Sequence, residues 1–307
     1  MRHLITLADV TASEIETIFA ITEDLKTKLA QGIREPLLPS RMLAMLFEKQ
    51  SLRTRVSFET GMVQLGGAAM YLGDEVGFGK RESMADFGGV ISEYVDVVVM
   101  RTKSHQTVVD MAANCTIPVI NGLTDFSHPC QALADIYTIR ETFGDLKGRT
   151  VAWVGDANNV ARSLILACGR VGMKVTMATP EKYRFSDEEI AWLHENTDDL
   201  SLEVFDDPKE AVADACAIYT DVWASMGQES ERAVRIADFT PYQVNESLMA
   251  AAPEGCIFLH CLPARRGEEV TDAVIDSPAS RVIQQAGNRM HAQKGVLAWL
   301  LGSKGDE

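Results

Sequence analysis

Strand-like and helix-like runs alternate along nearly the whole chain, and this alternation restricts the possible fold more than any other feature. In the first half, apolar strand-like runs occupy residues 42–47, 68–72, 95–101 and 117–121, and helical patterns occupy 54–65, 83–93 and 105–114. Such an order predicts a parallel sheet, because each strand returns to the sheet through a crossover helix. A capping box of Thr11 and Glu14 predicts an earlier helix that runs to about Lys28.

A second series of the same kind begins after a helical segment, residues 131–143, which stops at Gly144. Its strand-like runs are 150–155, 173–178, 202–205, 215–220 and 256–260, and its helical patterns are 159–170, 186–195 and 208–213. A chain of 307 residues is long enough for two cores. We therefore predict an α/β protein with two doubly wound parallel-sheet lobes, helices on both faces of each sheet, and a substrate cleft between the lobes.

Composition excludes several classes of function. The net charge of −15 argues against a nucleic-acid surface, whose affinity rests on basic contacts to phosphates. No apolar run approaches the ~18 residues of a membrane span, and the N-terminus lacks a long apolar signal region, so we expect a cytoplasmic protein without membrane contact. The six cysteines form no Cys-x-x-Cys pair, which favours reduced thiols. The run from residue 150 lacks the glycine spacing of a dinucleotide site, and we expect no cofactor and no metal.

A basic corner follows the first strand-like run. Residues 51–55 read Ser-Leu-Arg-Thr-Arg and lie where the apolar run 42–47 gives way to a helical pattern. The N–H groups of a helix's first turn attract an anion, and arginine side chains add charged, directional donors at the same place. The residues alone fit either a phosphate site or a solvated basic turn. Arg101 likewise fits either that site or a surface ion pair with Asp96 or Asp110.

Three later stretches narrow the choice. Residues 128–131, His-Pro-Cys-Gln, and 258–263, Phe-Leu-His-Cys-Leu-Pro, each follow an apolar run, and residues 221–227, Asp-Val-Trp-Ala-Ser-Met-Gly, lie between them. With the basic corner at 51–55, these stretches resemble the signature motifs of the aspartate/ornithine transcarbamoylase family. Residues 221–227 resemble the amino-acid-binding loop of its ornithine-specific members. The resemblance runs from residue 4 to about 301, with four motifs in the family's order.

The resemblance implies both a reaction and the residues that carry it. The side-chain amine of ornithine attacks the carbonyl carbon of carbamoyl phosphate and yields citrulline and phosphate, a step of arginine biosynthesis. The catalytic residues implied are Arg101, His128 and Cys261. The implied carbamoyl phosphate contacts are Ser51, Leu52 through its backbone, Arg53, Thr54, Arg101, His128, Gln131, Cys261, Leu262 and Arg289.

Ornithine itself carries an α-carboxylate, an α-ammonium group and the attacking amine, which must be neutral. By the resemblance, Asn159 and the backbone of Ser225 and Met226 suit the α-carboxylate, and Asp221 suits the α-ammonium group. Cys261 is assigned to positioning the side-chain amine together with Asp221, because the reaction is a direct displacement and needs no covalent intermediate. Core packing is the alternative for this thiol.

The family also implies a chain path and an assembly. The last amphipathic run of this chain, residues 288–301, is long enough to return to the first lobe as the family's last helix does. This assigns residues 1–146 with 288–307 to a carbamoyl phosphate-binding domain and 147–287 to an ornithine-binding domain. Members of the family form homotrimers or larger multiples with sites at subunit contacts.

Three positions depart from the family's pattern. Leu52 replaces a threonine or methionine, and Arg265 replaces a common histidine. Gly77 stands where many relatives have a glutamine that reaches a neighbouring subunit's carbamoyl phosphate. Lys80 or Arg81 offers a cationic replacement for that contact.

Two alternatives to ornithine carbamoylation remain open. The first is carbamoyl transfer to another amine, such as an acylated ornithine or putrescine. Aspartate fits less well, because it would need extra cationic groups in the second lobe, where residues 221–227 offer an acid and backbone instead. The second is a non-catalytic, anion-binding relative of the family.

Overall fold

A computed structural model of the chain describes residues 1–77, 81–197, 199–224 and 229–302. The chain divides into two compact units. The first unit comprises Met1–Ala134 and the chain from Gly287 onward, and the second unit comprises Asp135–Ala286. Each unit has its own parallel sheet, so the predicted fold class is confirmed. Within the described residues, no helix has both the length and the apolar character needed to cross a bilayer.

The sheet of the first unit is formed by β1 (Met42–Phe47), β2 (Ala68–Leu72), β3 (Val97–Arg101) and β4 (Val119–Leu123). The helices that begin in the first half of the chain are α1 (Ala12–Ala30), α2 (Leu52–Gln64), α3 (Met84–Tyr94), α4 (His105–Asn114) and α5 (Pro129–Phe143). Helix α1 starts at the predicted capping box, in which Thr11 and Glu14 bond each other's backbone N–H groups.

The strand order in this sheet is β2-β1-β3-β4, with every neighbouring pair parallel. The residues of β3 are all buried, as are those of β1 from Leu43 onward, which explains their unbroken apolar runs. Phe47 and Arg101 are paired at the ends of β1 and β3. Strand β2 lies on one side of β1, and the chain then continues to β3 on the other side. The carboxyl ends of β1 and β3 therefore flank the point at which a doubly wound sheet binds ligands.

The sheet of the second unit is formed by β5 (Thr150–Val154), β6 (Lys174–Ala178), β7 (Ser201–Phe205), β8 (Ala215–Thr220) and β9 (Ile257–His260). The remaining helices are α6 (Asn159–Arg170), α7 (Asp187–Glu195), α8 (Pro208–Val212), α9 (Arg232–Phe239), α10 (Glu246–Met249), α11 (Asp272–Ile275) and α12 (Val282–Leu301). The strand order β7-β6-β5-β8-β9 reverses direction at β5, and Thr220 pairs with His260 at the ends of β8 and β9. The loops after β5 and β8 therefore meet at the ligand edge of this sheet.

The predicted strands and helices up to residue 220 lie within two residues of the observed ones. The last helix differs from the prediction, since α12 begins at Val282 and not at residue 288. The short helices α9, α10 and α11 were not predicted. Helices α10 and α11 are too short to show a helical repeat of apolar residues.

Candidate active site

In the first unit, the N-terminus of α2 lies directly after β1. Ser51 is the N-cap, and its hydroxyl accepts a hydrogen bond from the Thr54 N–H at 3.2 Å. The first turn of α2 contains no acidic residue, so its dipole and N–H groups remain favourable to an anion. Leu52 presents its side chain to solvent and its backbone to this turn, and Arg53 is half-buried.

Thr54 lies at the centre of a buried cationic cluster. Its hydroxyl oxygen accepts a hydrogen bond from Arg289 Nη2 at 3.1 Å and lies 3.5 Å from Arg101 Nη1. Arg101 is 7% exposed and Arg289 is 4% exposed, whereas Thr54 is fully buried. Arg101 is therefore not a surface side chain, and Asp96, one of the partners considered for it, pairs with Arg41 at 2.6 Å. Two guanidinium groups thus concentrate positive charge in a protein whose net charge is strongly negative.

His128 and Gln131 lie at the start of α5, beyond the end of β4, and both are buried. Burial holds the pKa of His128 well below its usual range, and the charges of Arg289 and Arg101 lower it further. The imidazole is therefore neutral at physiological pH and can donate a hydrogen bond through one ring nitrogen. Gln131 adds an amide that can both donate and accept.

In the second unit, Asp221 directly follows β8 and is 8% exposed. Its Oδ1 atom accepts hydrogen bonds from the Val222 N–H at 2.8 Å and from the Cys261 thiol at 3.1 Å. Its Oδ2 atom accepts one from the side-chain amide of Asn158 at 3.0 Å. Neutral donors thus hold the carboxylate in a single orientation.

Cys261 differs from the chain's buried thiols. Cys261 is partly exposed and its thiol donates a hydrogen bond to Asp221, whereas Cys130 and Cys256 are buried. Burial raises the pKa of these two thiols to about 12. Core packing therefore does not describe Cys261. Leu262 follows it with a left-handed backbone, φ 57°, and its N–H donates to His260 Nδ1 at 2.8 Å.

His260 and Glu269 support this loop from the core of the second unit, where both are fully buried. Because Nδ1 of His260 accepts the Leu262 N–H, its other ring nitrogen carries the proton and donates to Glu269 Oε1 at 3.2 Å. The His260 backbone N–H in turn donates to Gln285 Oε1 at 2.9 Å. The position of Cys261 is thus fixed by contacts on both sides of the loop.

A metal ion fits this cluster poorly. Asp221, His260 and Cys261 each have a possible ligand atom, and these atoms lie within 4.8 Å of one another. Both ring nitrogens of His260, however, already take part in hydrogen bonds, to Leu262 and to Glu269. The possible ligand atoms are already engaged in hydrogen bonds with protein groups, and these hydrogen bonds would have to break for a metal to bind.

The structure divides the predicted site residues between the two units. The first unit brings together Arg101, His128, Arg289 and Thr54, with Ser51, Leu52 and Arg53 at the adjoining helix start and Gln131 in α5. The second unit brings together Asp221, Cys261 and Leu262, with Asn159 as the first residue of α6. Ser225 and Met226 lie outside the described residues, as does Lys80. Arg81 is described, and its side chain lies beside Gly77.

Sequence reasoning missed Asn158, His260 as a supporting residue, and Glu269. Asn158 had a recognisable signal, because asparagine is favoured at the N-cap of a helix and the helix at 159–170 was predicted. Glu269 had none. It lies in a charged stretch of chain that is typical of a solvated loop.

Both parts of the chain match domains of known proteins. Residues 2–141 match the carbamoyl-P binding domain of aspartate/ornithine carbamoyltransferases, and residues 147–300 match their Asp/Orn binding domain. The ornithine carbamoyltransferase of Anoxybacillus flavithermus is 50% identical over 303 residues, which cover 98% of this chain and 96% of that protein. The anabolic ornithine carbamoyltransferase of Pyrococcus furiosus is 50% identical over 304 residues, with the same coverage of both chains.

Solved structures give the same result. The ornithine carbamoyltransferase structure from Pyrococcus furiosus matches with a TM-score of 0.95 at 50% identity, over 98% of this chain and 97% of that one. The structure from Thermus thermophilus matches with a TM-score of 0.88 at 39% identity, over 98% and 99% of the two chains. The family predicted from the four motifs is confirmed: this chain belongs to the aspartate/ornithine carbamoyltransferase family.

Proposed function

We propose that this protein transfers the carbamoyl group of carbamoyl phosphate to the side-chain amine of L-ornithine, giving L-citrulline and phosphate. The observation that carries the proposal is the pairing, within one chain, of a buried two-arginine cluster around Thr54 with a buried carboxylate, Asp221, bonded to the thiol of Cys261. The first suits a dianionic phosphate compound, and the second suits an amino acid with an extra amine.

The first unit is proposed to bind carbamoyl phosphate. Its phosphate would lie at the N-terminus of α2, where Ser51, the Leu52 N–H, Arg53 and Thr54 supply donors and Arg101 adds charge from the end of β3. These groups also stabilise the phosphate that leaves, because charge accumulates on its oxygen as the C–O bond breaks.

The carbonyl oxygen of the carbamoyl group gains negative charge as the amine attacks. Donors placed there lower the barrier, because their interactions strengthen in the tetrahedral transition state. Neutral His128, Arg101 and Thr54 are proposed for this role, and Arg289 approaches the same group from α12. Gln131 would accept a hydrogen bond from the carbamoyl NH₂ group.

The second unit is proposed to bind ornithine. Asp221 would accept the α-ammonium group, and Asn159 with the Ser225–Met226 backbone would bind the α-carboxylate. Cys261 and Leu262 would position the neutral side-chain amine and the carbamoyl group. The amine then forms the C–N bond, the C–O bond to phosphate breaks with its electron pair going to the phosphate oxygen, and the amine transfers one proton to the departing phosphate. No covalent enzyme intermediate is required.

We propose that the protein works as a cytoplasmic homotrimer, or a multiple of it, in arginine biosynthesis. The relative named anabolic, from Pyrococcus furiosus, supports that direction. An exposed apolar stripe on α2 supports self-association, since Leu52, Val56 and Val63 are 75%, 50% and 60% exposed and follow a helical spacing.

Carbamoyl transfer to a panel of amines tests the proposed function. The purified protein is incubated with carbamoyl phosphate and L-ornithine, N-acetylornithine, putrescine or L-aspartate, and both phosphate release and the carbamoylated product are measured. We expect kcat/KM for ornithine to exceed that for each other amine by about 100-fold or more, because Asp221 needs a free α-ammonium partner. A higher kcat/KM with another amine would reassign the substrate. Absence of both phosphate release and carbamoylated product with every amine would favour a non-catalytic relative.

A further inference from the structure

Asn158 connects two features of the second unit that the sequence places far apart. It is the N-cap of α6, and its Oδ1 atom accepts hydrogen bonds from the N–H groups of Val160 at 2.9 Å and Ala161 at 3.0 Å. Its Nδ2 atom donates to Asp221 Oδ2 at 3.0 Å, across 63 residues of sequence. The amide oxygen of Asn158 therefore caps helix α6, and its amide nitrogen holds the Asp221 carboxylate.

The Asp221 carboxylate depends on both of its oxygens for its orientation. Oδ1 is held by the Val222 N–H and the Cys261 thiol, on the chain that follows β8 and β9. Among the described residues, Asn158 is the side chain that donates to Oδ2. Without it, the carboxylate could rotate about its Cβ–Cγ bond, because terminal torsions of this kind are soft.

We propose that Asn158 is a positioning residue for the acceptor substrate. It aims the Asp221 carboxylate at the substrate's α-ammonium group and, by starting α6, sets the place of Asn159 beside it. This inference rests on the proposed binding of ornithine at Asp221. Asn158 itself need not touch the substrate.

The two tasks of Asn158 can be separated by substitution. Asn158→Ser retains a good helix cap, because serine caps about as well as asparagine, but its short hydroxyl replaces the amide donor to Asp221. Asn158→Asp also retains the cap, and it replaces the donor with a second carboxylate that repels Asp221. The matched control is Asn245→Ser, because Asn245 caps α10 through the Leu248 N–H without a contact to Asp221.

The test measures steady-state constants and melting temperature on the full-length enzyme. For Asn158→Ser we expect the ornithine KM to rise about tenfold or more, since a hydrogen bond to a charged group is lost. The carbamoyl phosphate KM should stay within about twofold of the wild type, and the melting temperature within about 2 °C, because the cap is retained. Asn158→Asp should raise the ornithine KM at least as much, and Asn245→Ser should leave both constants unchanged.

A non-reactive substrate analogue separates an effect on binding from an effect on the chemical step. L-Norvaline has the α-ammonium and α-carboxylate groups of ornithine but no side-chain amine, so its competitive inhibition constant reports binding alone. We expect it to rise in parallel with the ornithine KM in Asn158→Ser. An unchanged ornithine KM in both Asn158 variants, or an equal rise in the carbamoyl phosphate KM, would overturn the inference. Failure of the wild type to form citrulline would instead overturn the proposed function.

Discussion

The carboxyl edges of the two sheets bear opposite charges. In the first unit, Arg101 and Arg289 approach the hydroxyl of Thr54, and the nearby His128 is kept neutral by burial and by those same arginines. In the second unit, Asp221 is surrounded by neutral donors. Parallel sheets place loops from successive strands together in both cases, while the residues in those loops determine which charge each edge can accept.

The second unit also contains a buried cation, but its charge is already neutralised. Arg235 pairs with Asp156 at 3.1 Å and with Glu231 at 3.1 Å, and it donates to the carbonyl oxygen of Trp223 at 3.0 Å. It therefore anchors the chain near Asp221 and leaves the site's charge negative. Arg235 differs in this from Arg101 and Arg289 of the first unit, which approach the neutral hydroxyl of Thr54.

Replacing Arg101 should have the largest effect, because it tests the cationic side of the comparison. Arg101→Ala should lower kcat/KM for carbamoyl phosphate by about 100-fold or more, through loss of charged contacts that act in both binding and the transition state. The control is Arg41→Ala, which removes an arginine at the opposite end of β1 that pairs with Asp96. Near-normal kinetics for Arg101→Ala would remove this arginine from the site.

Cys261 tests whether the second edge positions the amine or reacts covalently. Cys261→Ser should raise the ornithine KM and lower kcat by about tenfold each while kinetics stay sequential, because serine retains the size and a hydrogen-bonding atom. Cys216→Ser is the control, a thiol on β8 with no bond to Asp221. Intact-protein mass spectrometry after incubation with carbamoyl phosphate alone should show no adduct, and a carbamoylated Cys261 would contradict the positioning role.

The smallest effect concerns the pH dependence of stability, through the buried carboxyl group of Asp156 in the second unit. Burial raises the pKa of Asp156 to about 6, outweighing the Arg235 ion pair that lowers it, and the Asp221 charge raises it further. The folded pKa exceeds the unfolded value of about 4, so the folded protein binds a proton at Asp156 more tightly than the unfolded chain does. The stability that this protonation contributes is complete below about pH 4 and is lost as pH rises through about 6. Wild type should therefore lose stability relative to Asp156→Asn over that window, by about 1–3 kcal/mol.

Thermal denaturation of both proteins from pH 4 to pH 7, in the same buffers, measures this difference. We expect the melting temperature of the wild type minus that of the variant to fall as pH rises. A difference that grows with pH would mean that the Arg235 ion pair outweighs burial and lowers the Asp156 pKa.

The sequence was sufficient for the order of the strands, for the helices up to residue 213 and for the family, because alternating apolar runs and motifs at strand ends are local signals. The basic corner at 51–55 and Arg101 could be named as candidates from the residues, since the corner follows a strand and Arg101 ends one, whereas His128 was named through the resemblance. The last helix was predicted from its amphipathic run, but its return to the first lobe was predicted through the resemblance, and the contact of its Arg289 with Thr54 spans 235 residues.

The supporting contacts could not be predicted, because they depend on which polar groups become buried together. The Asn158 amide meets Asp221 through folding alone, and nothing near residue 158 indicates that partner. Glu269 is surrounded in sequence by charged residues, yet it is fully buried against His260. Burial of such a group depends on the tertiary fold and not on local pattern.

The division of labour between the two units is tested most directly by Asp221→Asn, which removes a charge while it retains the size of the side chain. Initial rates are measured with each substrate varied against saturating amounts of the other, in wild type and variant. We expect the ornithine KM to rise about tenfold or more while the carbamoyl phosphate KM stays within about twofold, because the arginine cluster is untouched. A large rise in the carbamoyl phosphate KM with an unchanged ornithine KM would contradict it.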